Sequence, residues 1–110
     1  MSLWTANLPN LVIANGATDT TTAITAYLDD AESVTVVAPS ALTGTVTIKG
    51  SVDGGTTWVD VGSGGNDVTI GAGNAVTISP FTFRALKVTS GSAEAAERTF
   101  TVLKQFRVGR

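Results

Sequence analysis

This sequence has no cysteine and no histidine, and it carries little charge. The lack of cysteine excludes a disulfide framework, a thiol nucleophile and a zinc–thiolate site within these 110 residues. The lack of histidine removes the commonest general base and the commonest transition-metal ligand. Charged residues make up 15% of the chain, against about 25% in an average soluble domain. We therefore expect neither an enzyme nor a bound cofactor.

Nothing in the sequence favours a nucleic acid or a membrane as a partner. The net charge is −2 and the pI is about 4.8, so the basic excess typical of nucleic-acid binders is missing. No stretch approaches the ~18 consecutive apolar residues of a membrane helix. The first residues also lack the basic region and apolar segment of a signal peptide. We therefore expect synthesis in the cytoplasm.

What the chain does contain is a pattern typical of β-structure. Apolar and polar residues alternate clearly between Gly44 and Val52, where Val46, Ile48 and Val52 share one face. Turn residues separate such runs at intervals of about eight to twelve residues. This spacing predicts an all-β fold, namely an antiparallel β-sandwich of eight to nine short strands with a jelly-roll-like arrangement.

Two segments depart from the alternation. Residues 1–15, which contain Trp4, are expected to form an extended N-terminal arm, so that residues 16–110 form a single sandwich domain. The stretch from Ser92 to Arg98 is rich in alanine and glutamate and could form one or two helical turns.

Acidic and basic residues are concentrated in different parts of the chain. Residues 1–83 hold seven acids and one base, whereas residues 84–110 hold six bases and two acids. One interpretation is that the last strands pair beside the acidic ones, so that the charges cancel within the domain. The other is that the basic C-terminal part docks on an acidic neighbour.

The most specific motif is the stretch Ser-Val-Asp-Gly-Gly-Thr-Thr-Trp, which begins at Ser51. It resembles the Asp box, a β-hairpin found in sialidases and other β families. Its defining members are Ser51, Asp53, Gly55, Thr57 and Trp58. The carboxylate can accept hydrogen bonds from the amides of its own turn, and glycine permits the positive φ of a tight hairpin. We interpret the motif as a structural clamp with a buried tryptophan, and a glycan-contacting or calcium-binding tip is the alternative.

Residues 33–102 resemble the jelly-roll decoration, or cement, proteins of tailed bacteriophages. The segments that carry the resemblance are Val34–Pro39, Leu42–Ile48, the hairpin at 51–58, Val68–Gly73 and Phe83–Phe100. The resemblance implies a structural virion protein, made in a bacterial cytoplasm, that binds the major capsid protein on the outside of the capsid and braces neighbouring capsomers.

Two other classes of function stay open. Small β-sandwiches often bind carbohydrate, so a carbohydrate-binding module of a phage head or tail fibre is the main alternative. A carboxylate enzyme would need paired acids, and the dense group Asp29, Asp30 and Glu32 has no partnering base in the sequence pattern. The same group does not have the spacing of an EF-hand calcium loop.

The sequence also suggests where partners bind. Tryptophan is enriched at interfaces, so Trp4 is a candidate contact, and the alternative is that it folds back against one end of its own sandwich. The basic C-terminal candidates are Lys104, Arg107 and Arg110. Because a sandwich of this size has edge strands that invite pairing, we expect a homo-oligomer, with a dimer favoured and a trimer possible.

Overall fold

The computed structural model describes residues 2–63 and 66–108, and within these residues the chain forms strands and no helix. All strand pairs are antiparallel. The predicted all-β antiparallel sandwich is therefore confirmed. The strands are β1 (Ser2–Asn7), β2 (Leu11–Ile13), β3 (Ala31–Val37), β4 (Val46–Ser51), β5 (Val59–Asp60), β6 (Gly62–Ser63), β7 (Asn66–Asp67), β8 (Thr69–Ile70), β9 (Ala75–Ile78), β10 (Ala85–Ser90) and β11 (Arg98–Val108).

The strands form two main sheets. The first sheet has the order β1-β11-β3-β9, and β2 also pairs with β11. The second has the order β10-β4-β5, and β8 also pairs with β4, while β6 and β7 form a separate small hairpin. Because β3 and β4, and likewise β9, β10 and β11, lie in alternating sheets, the chain crosses between the sheets repeatedly, as it does in jelly rolls.

The core lies between the two sheets and consists of the apolar faces of their strands. Ten of its side chains are completely buried, and burial of one such side chain contributes about 1.5–3 kcal/mol to the stability of the fold. These ten are Leu11, Ile13, Val34, Val36, Val46, Ile48, Leu86, Val88, Phe100 and Val102.

The alternation of buried and exposed side chains in β4 ends before Val52, which the sequence pattern had placed on the buried face. Val46 and Ile48 are buried, but Val52 is 66% exposed. The ring of Phe83 lies where the next inward side chain would be, since a Cβ built on Gly50 would lie 2.5 Å from that ring. The strand ends at Ser51, and Val52 belongs to the hairpin that follows.

The expected N-terminal arm is joined to the first sheet throughout its described part. Residues Ser2–Asn7 pair with β11 over their whole length, and Leu11–Ile13 pair with a more N-terminal part of β11. Between them Leu8 is buried, and its amide donates to the carbonyl of Val102 at 2.8 Å.

The helix considered for residues 92–98 does not form. Glu94 is only 1% exposed, and its carboxylate accepts hydrogen bonds from the distant amides of Thr43 and Gly44. The segment is an irregular loop before β11, because these long-range bonds replace the local bonds that a short helix would offer.

The eleven-residue strand β11 connects the two ends of the sandwich, which is elongated with principal extents of 47 × 26 × 26 Å. At one end, which we call the Glu94 end, Glu94 meets residues 43–44 and Arg98. At the other end, Phe106 in β11 lies opposite Trp4 in β1. There the pairing of β11 with β3 skips Glu32, which marks a β-bulge in β3.

Candidate interaction surface

The predicted hairpin clamp is present at the tip that follows β4. Asp53 Oδ1 accepts hydrogen bonds from the amides of Thr56 at 3.1 Å and Thr57 at 2.9 Å, and from Ser51 Oγ at 2.6 Å. Ser51 Oγ in turn accepts from the amide of Gly55 at 2.9 Å. The turn is thus held by two side chains that bond its own backbone.

The conformation and charge of this hairpin follow from the same residues. Gly54 and Gly55 have φ values of 80° and 107°, a region that other residues rarely adopt. The hydrogen bond from Ser51, followed by that from the Thr57 amide, lowers the pKa of Asp53 from 3.8 to about 2. The carboxylate oxygen therefore serves the turn itself, which is the structural interpretation of the motif.

Trp58 occupies a different position from the one we expected. It is half-buried and does not belong to the core. The Lys87 ammonium lies 4.7 Å from the centre of its ring and forms an ion pair with Asp19 at 2.9 Å. The Lys87 ammonium thus makes a cation–π contact with Trp58 on the surface of the domain.

The opposite charges of the two chain segments meet within the molecule. Lys104 bonds Asp30 at 2.6 Å, and Arg107 bonds Glu32 at 2.9 Å. The side chain of Lys104 is only 11% exposed. Two of the predicted basic contacts thus form internal ion pairs, and Arg110 lies outside the described residues.

Among residues 2–63 and 66–108, no group of three or more acidic side chains is placed to hold a metal ion. Asp30 and Glu32, from the dense acidic group, are bonded to different cations, Lys104 and Arg107. Two shallow depressions, each about 310 Å³, flank Phe83. The first is lined by Val61, Gly62, Val68, Thr77, Ile78, Ser79, Pro80 and Phe83, with no ionisable side chain among them. The described residues also form no helix long and apolar enough to cross a membrane.

Three aromatic residues, Trp4, Tyr27 and Phe106, define what we call the aromatic end. Trp4 is 56% exposed and Tyr27 is 68% exposed. Trp4 lies directly opposite Phe106, so both rings are on the same side of the sheet. The Lys104 ammonium contacts both Phe106 and Tyr27. It lies 4.9 Å from the centre of the Phe106 ring and donates a hydrogen bond to the Tyr27 carbonyl oxygen at 2.8 Å.

Tyr27 also has an unusual backbone. Its φ is 69°, and no other described residue except glycine has a positive φ. The left-handed conformation is unfavourable by about 1–2 kcal/mol for a residue with a Cβ. The structure therefore holds an exposed aromatic side chain on a strained segment.

The Asp53 hairpin lies at this same end of the molecule. The Phe81 amide donates to the Glu32 carbonyl at 3.0 Å, and the Arg84 amide donates to the Ser51 carbonyl at 2.7 Å. The segment 81–84 thus joins the bulge in β3 to the start of the hairpin.

Comparison with known proteins gives information about the fold. No protein-family model matches the chain, and no curated protein matches it. A solved structure described as "Bacillus endospore appendages form a novel family of disulfide-linked pili" superposes with a TM-score of 0.53, over 98% of this chain and 90% of that chain. The two chains share a fold. At 16% identity the similarity extends to the fold alone.

Sequence reasoning located part of this surface and missed part of it. It grouped Ser51, Asp53, Gly55 and Thr57, which hydrogen bonds join in the structure. It also singled out Trp4, which lies opposite Phe106. It gave Tyr27 no role. The structure has only an isolated bridge there, between Ile24 and Leu86, and the left-handed conformation of Tyr27 has no local sequence signal.

Proposed function

We propose that this chain is a structural protein that attaches through its aromatic end to a larger protein assembly, and specifically that it decorates the outer surface of a tailed-bacteriophage capsid. The observation that carries the proposal is Tyr27, an exposed ring on a strained left-handed backbone at the same end of the molecule as the exposed Trp4. Tyrosine and tryptophan are enriched among residues that dominate binding energy at interfaces.

Strain and exposure together favour a functional role for Tyr27. A glycine would adopt the same φ without the clash of a Cβ, and a polar side chain would expose less apolar surface. Retaining tyrosine at this position sacrifices stability, which is typical of residues that serve binding. The resemblance of residues 33–102 to decoration proteins supplies the capsid as the specific assembly.

The surrounding charges indicate what kind of contact this end makes. Lys104 and Arg107 are each bonded to an acid of the same chain. An apolar, aromatic contact is therefore favoured over an ionic one. We expect attachment to depend only weakly on salt, because screening acts mainly on exposed unpaired charges.

The test is co-sedimentation with capsid shells assembled from the major capsid protein encoded in the same genome. We expect the parent and Tyr27→Phe to sediment with the shells, because both carry a ring at this position. Tyr27→Gly and Tyr27→Asn should lose attachment while their stability stays within about 1 kcal/mol of the parent, since both residues tolerate the left-handed conformation. Absence of binding by the parent, or full binding by Tyr27→Gly, would contradict the proposal.

A second candidate is a subunit of a pilus-like fibre. It is favoured by the fold shared with the endospore appendage structure. Disulfide linkage of the kind named there is excluded within this sequence, which has no cysteine. Electron microscopy of the purified chain without capsids separates the candidates, because a fibre subunit should form filaments alone.

A further inference from the structure

The outer edge of β1 is open. Strand β1 pairs with β11 on one side, and among the described residues no backbone hydrogen bond reaches its other side. An open edge presents unpaired N–H and C=O groups and is a template for pairing with another strand. Of the six residues of β1, all except Ala6 are exposed.

The usual protection of such an edge is missing. Natural edge strands often carry lysine, proline or a bulge, but Ser2–Asn7 contains no charge or proline and pairs with β11 without a shift in register. The first charged residue of the sequence is Asp19. The charges of the first sheet lie instead on its inner strands, with Glu32 on β3 and Arg98, Lys104 and Arg107 on β11.

The opposite edge of the same sheet, β9, is a poorer template. It has four residues rather than six. It also lies beside β8 of the second sheet, so its approach is partly closed. The longer and more exposed edge is the one that β1 provides.

We infer that a second copy of this chain pairs with β1, antiparallel about a twofold axis at Trp4, so that the two first sheets become one continuous sheet. In this register Trp4 faces Trp4 of the second copy, Leu3 faces Thr5, and Ser2 faces Ala6. Residues that face each other lie on the same side of the sheet, and Trp4 already lies opposite Phe106. A row of four aromatic rings therefore crosses the junction.

The composition of β1 favours a second copy as the occupant. Because β1 carries no charge, pairing with a second copy of itself places no like charges opposite each other. A basic or acidic partner strand would have no group of opposite charge to bind on β1. A twofold pairing of this kind is closed and ends at a dimer. The inference goes beyond the proposed function, because it needs no capsid.

The first experiment measures the mass of the purified chain by sedimentation equilibrium over a range of concentrations. We expect a reversible dimer of twice the 11.2 kDa chain mass. Trp4→Lys should give a monomer, because it places two lysines opposite each other. The matched control is Ala75→Lys on the β9 edge, where Ala75 is exposed, and this variant should remain dimeric.

A second experiment keeps Trp4 and does not depend on the lysine variant folding. Because the chain has no cysteine, Leu3→Cys and Thr5→Cys each add a single thiol. Directly opposite residues have Cβ atoms about 4.5–5.5 Å apart, close to the spacing of a disulfide. Under mild oxidation an equimolar mixture should give mostly the 3–5 heterodimer, and each variant alone should give little covalent dimer.

Three results would overturn the inference. One is a parent that stays monomeric at millimolar concentration. Another is an open series of larger oligomers that Ala75→Lys abolishes, which would indicate pairing of β1 with β9. The third is equal cross-linking of Leu3→Cys alone and in the mixture. None of these assays contains a capsid, so their failure is distinct from failure of the proposed attachment.

Discussion

Asp53 and Glu94 are two carboxylates with a pKa lowered to about 2 by different means. Asp53 is at an exposed hairpin tip and bonds groups within four residues of itself. The side chain of Glu94 is fully buried and is bonded by Thr43 and Gly44, about fifty residues away, as well as by Ser90 and Arg98. The first holds one turn, whereas the second holds the loops of a whole end of the sandwich together.

The energetics of the two sites differ accordingly. Burial of Glu94 raises its pKa, but hydrogen bonds from Ser90, the Thr43 amide, Arg98 and the Gly44 amide outweigh that effect and lower the pKa from 4.5 to about 2. A buried charge that loses a partner leaves the remaining groups unpaired, which is strongly destabilising. At an exposed tip, water replaces a lost partner. The comparison therefore predicts a large effect at Glu94 and a small one at Asp53.

The largest expected effect is that of Glu94→Gln. Each carboxylate oxygen accepts two donors, Thr43 N and Arg98 Nε at one and Gly44 N and Ser90 Oγ at the other. A glutamine has one oxygen, so its amide nitrogen would face donors. We expect the free energy of unfolding to fall by about 3 kcal/mol at pH 7, as measured by urea denaturation.

The matched control for this variant is Glu97→Gln, which removes a nearby acid from an exposed position. It should change the free energy of unfolding by no more than about 0.5 kcal/mol. Similar losses in both variants would mean that net charge, rather than the buried network, stabilises the Glu94 end.

The dependence of stability on pH sharpens the same comparison. Between the ordinary pKa of 4.5 and the folded value of about 2, the unfolded state binds more protons at Glu94 than the folded state does. The contribution of Glu94 is thus fully present above about pH 5 and is lost as the pH falls toward 2. Urea midpoints measured between pH 7 and pH 2 should fall steeply in the parent and less steeply in Glu94→Gln.

A smaller effect is expected for Asp53→Ala. The amides of Thr56 and Thr57 lose their acceptor, but water reaches them at the exposed tip. The melting temperature measured by circular dichroism should fall by only a few degrees. Asp29→Ala, at an exposed acid, is the control and should melt like the parent. A loss at Asp53 as large as that at Glu94 would break the distinction between the two sites.

The smallest effect is expected on the outer face of the second sheet. Lys49 and Lys87 lie directly opposite each other, and each is bonded to its own acid, Asp60 and Asp19 respectively. Asp19→Asn leaves the two lysines less well compensated. Because exposed ion pairs contribute little, we expect a loss of about 0.5 kcal/mol at low salt that shrinks in 1 M salt.

The same contrast explains how much of the structure could be predicted. The fold class and the Asp53 hairpin follow from local signals, namely period-two alternation and a motif whose members bond one another. The Glu94 network could not be predicted, because Thr43 and Glu94 become neighbours only when the sandwich has formed. The local sequence around Glu94 suggests a short helix, because it carries no sign of these long-range contacts.

The candidate surface contains residues that the sequence could single out and others that it could not. Trp4 could be singled out by residue type, and Phe106 by its place in an alternating strand. Trp58 was expected in the core, but its ring instead contacts the Lys87 ammonium outside the core. The exposure and strain of Tyr27 depend on how residues 24–31 return to the first sheet, and no nearby residue type signals this.

The antiparallel pairing of β1 with β11 has a mechanical consequence. Ser2 lies opposite Val108, so a force that pulls these two residues apart loads the strand pairs one after another and peels β1 away at low force. A force applied between the aromatic end and the Glu94 end instead loads the bonds along β11 together, in shear. The molecule should therefore resist stretching along its long axis far better than unzipping at Ser2.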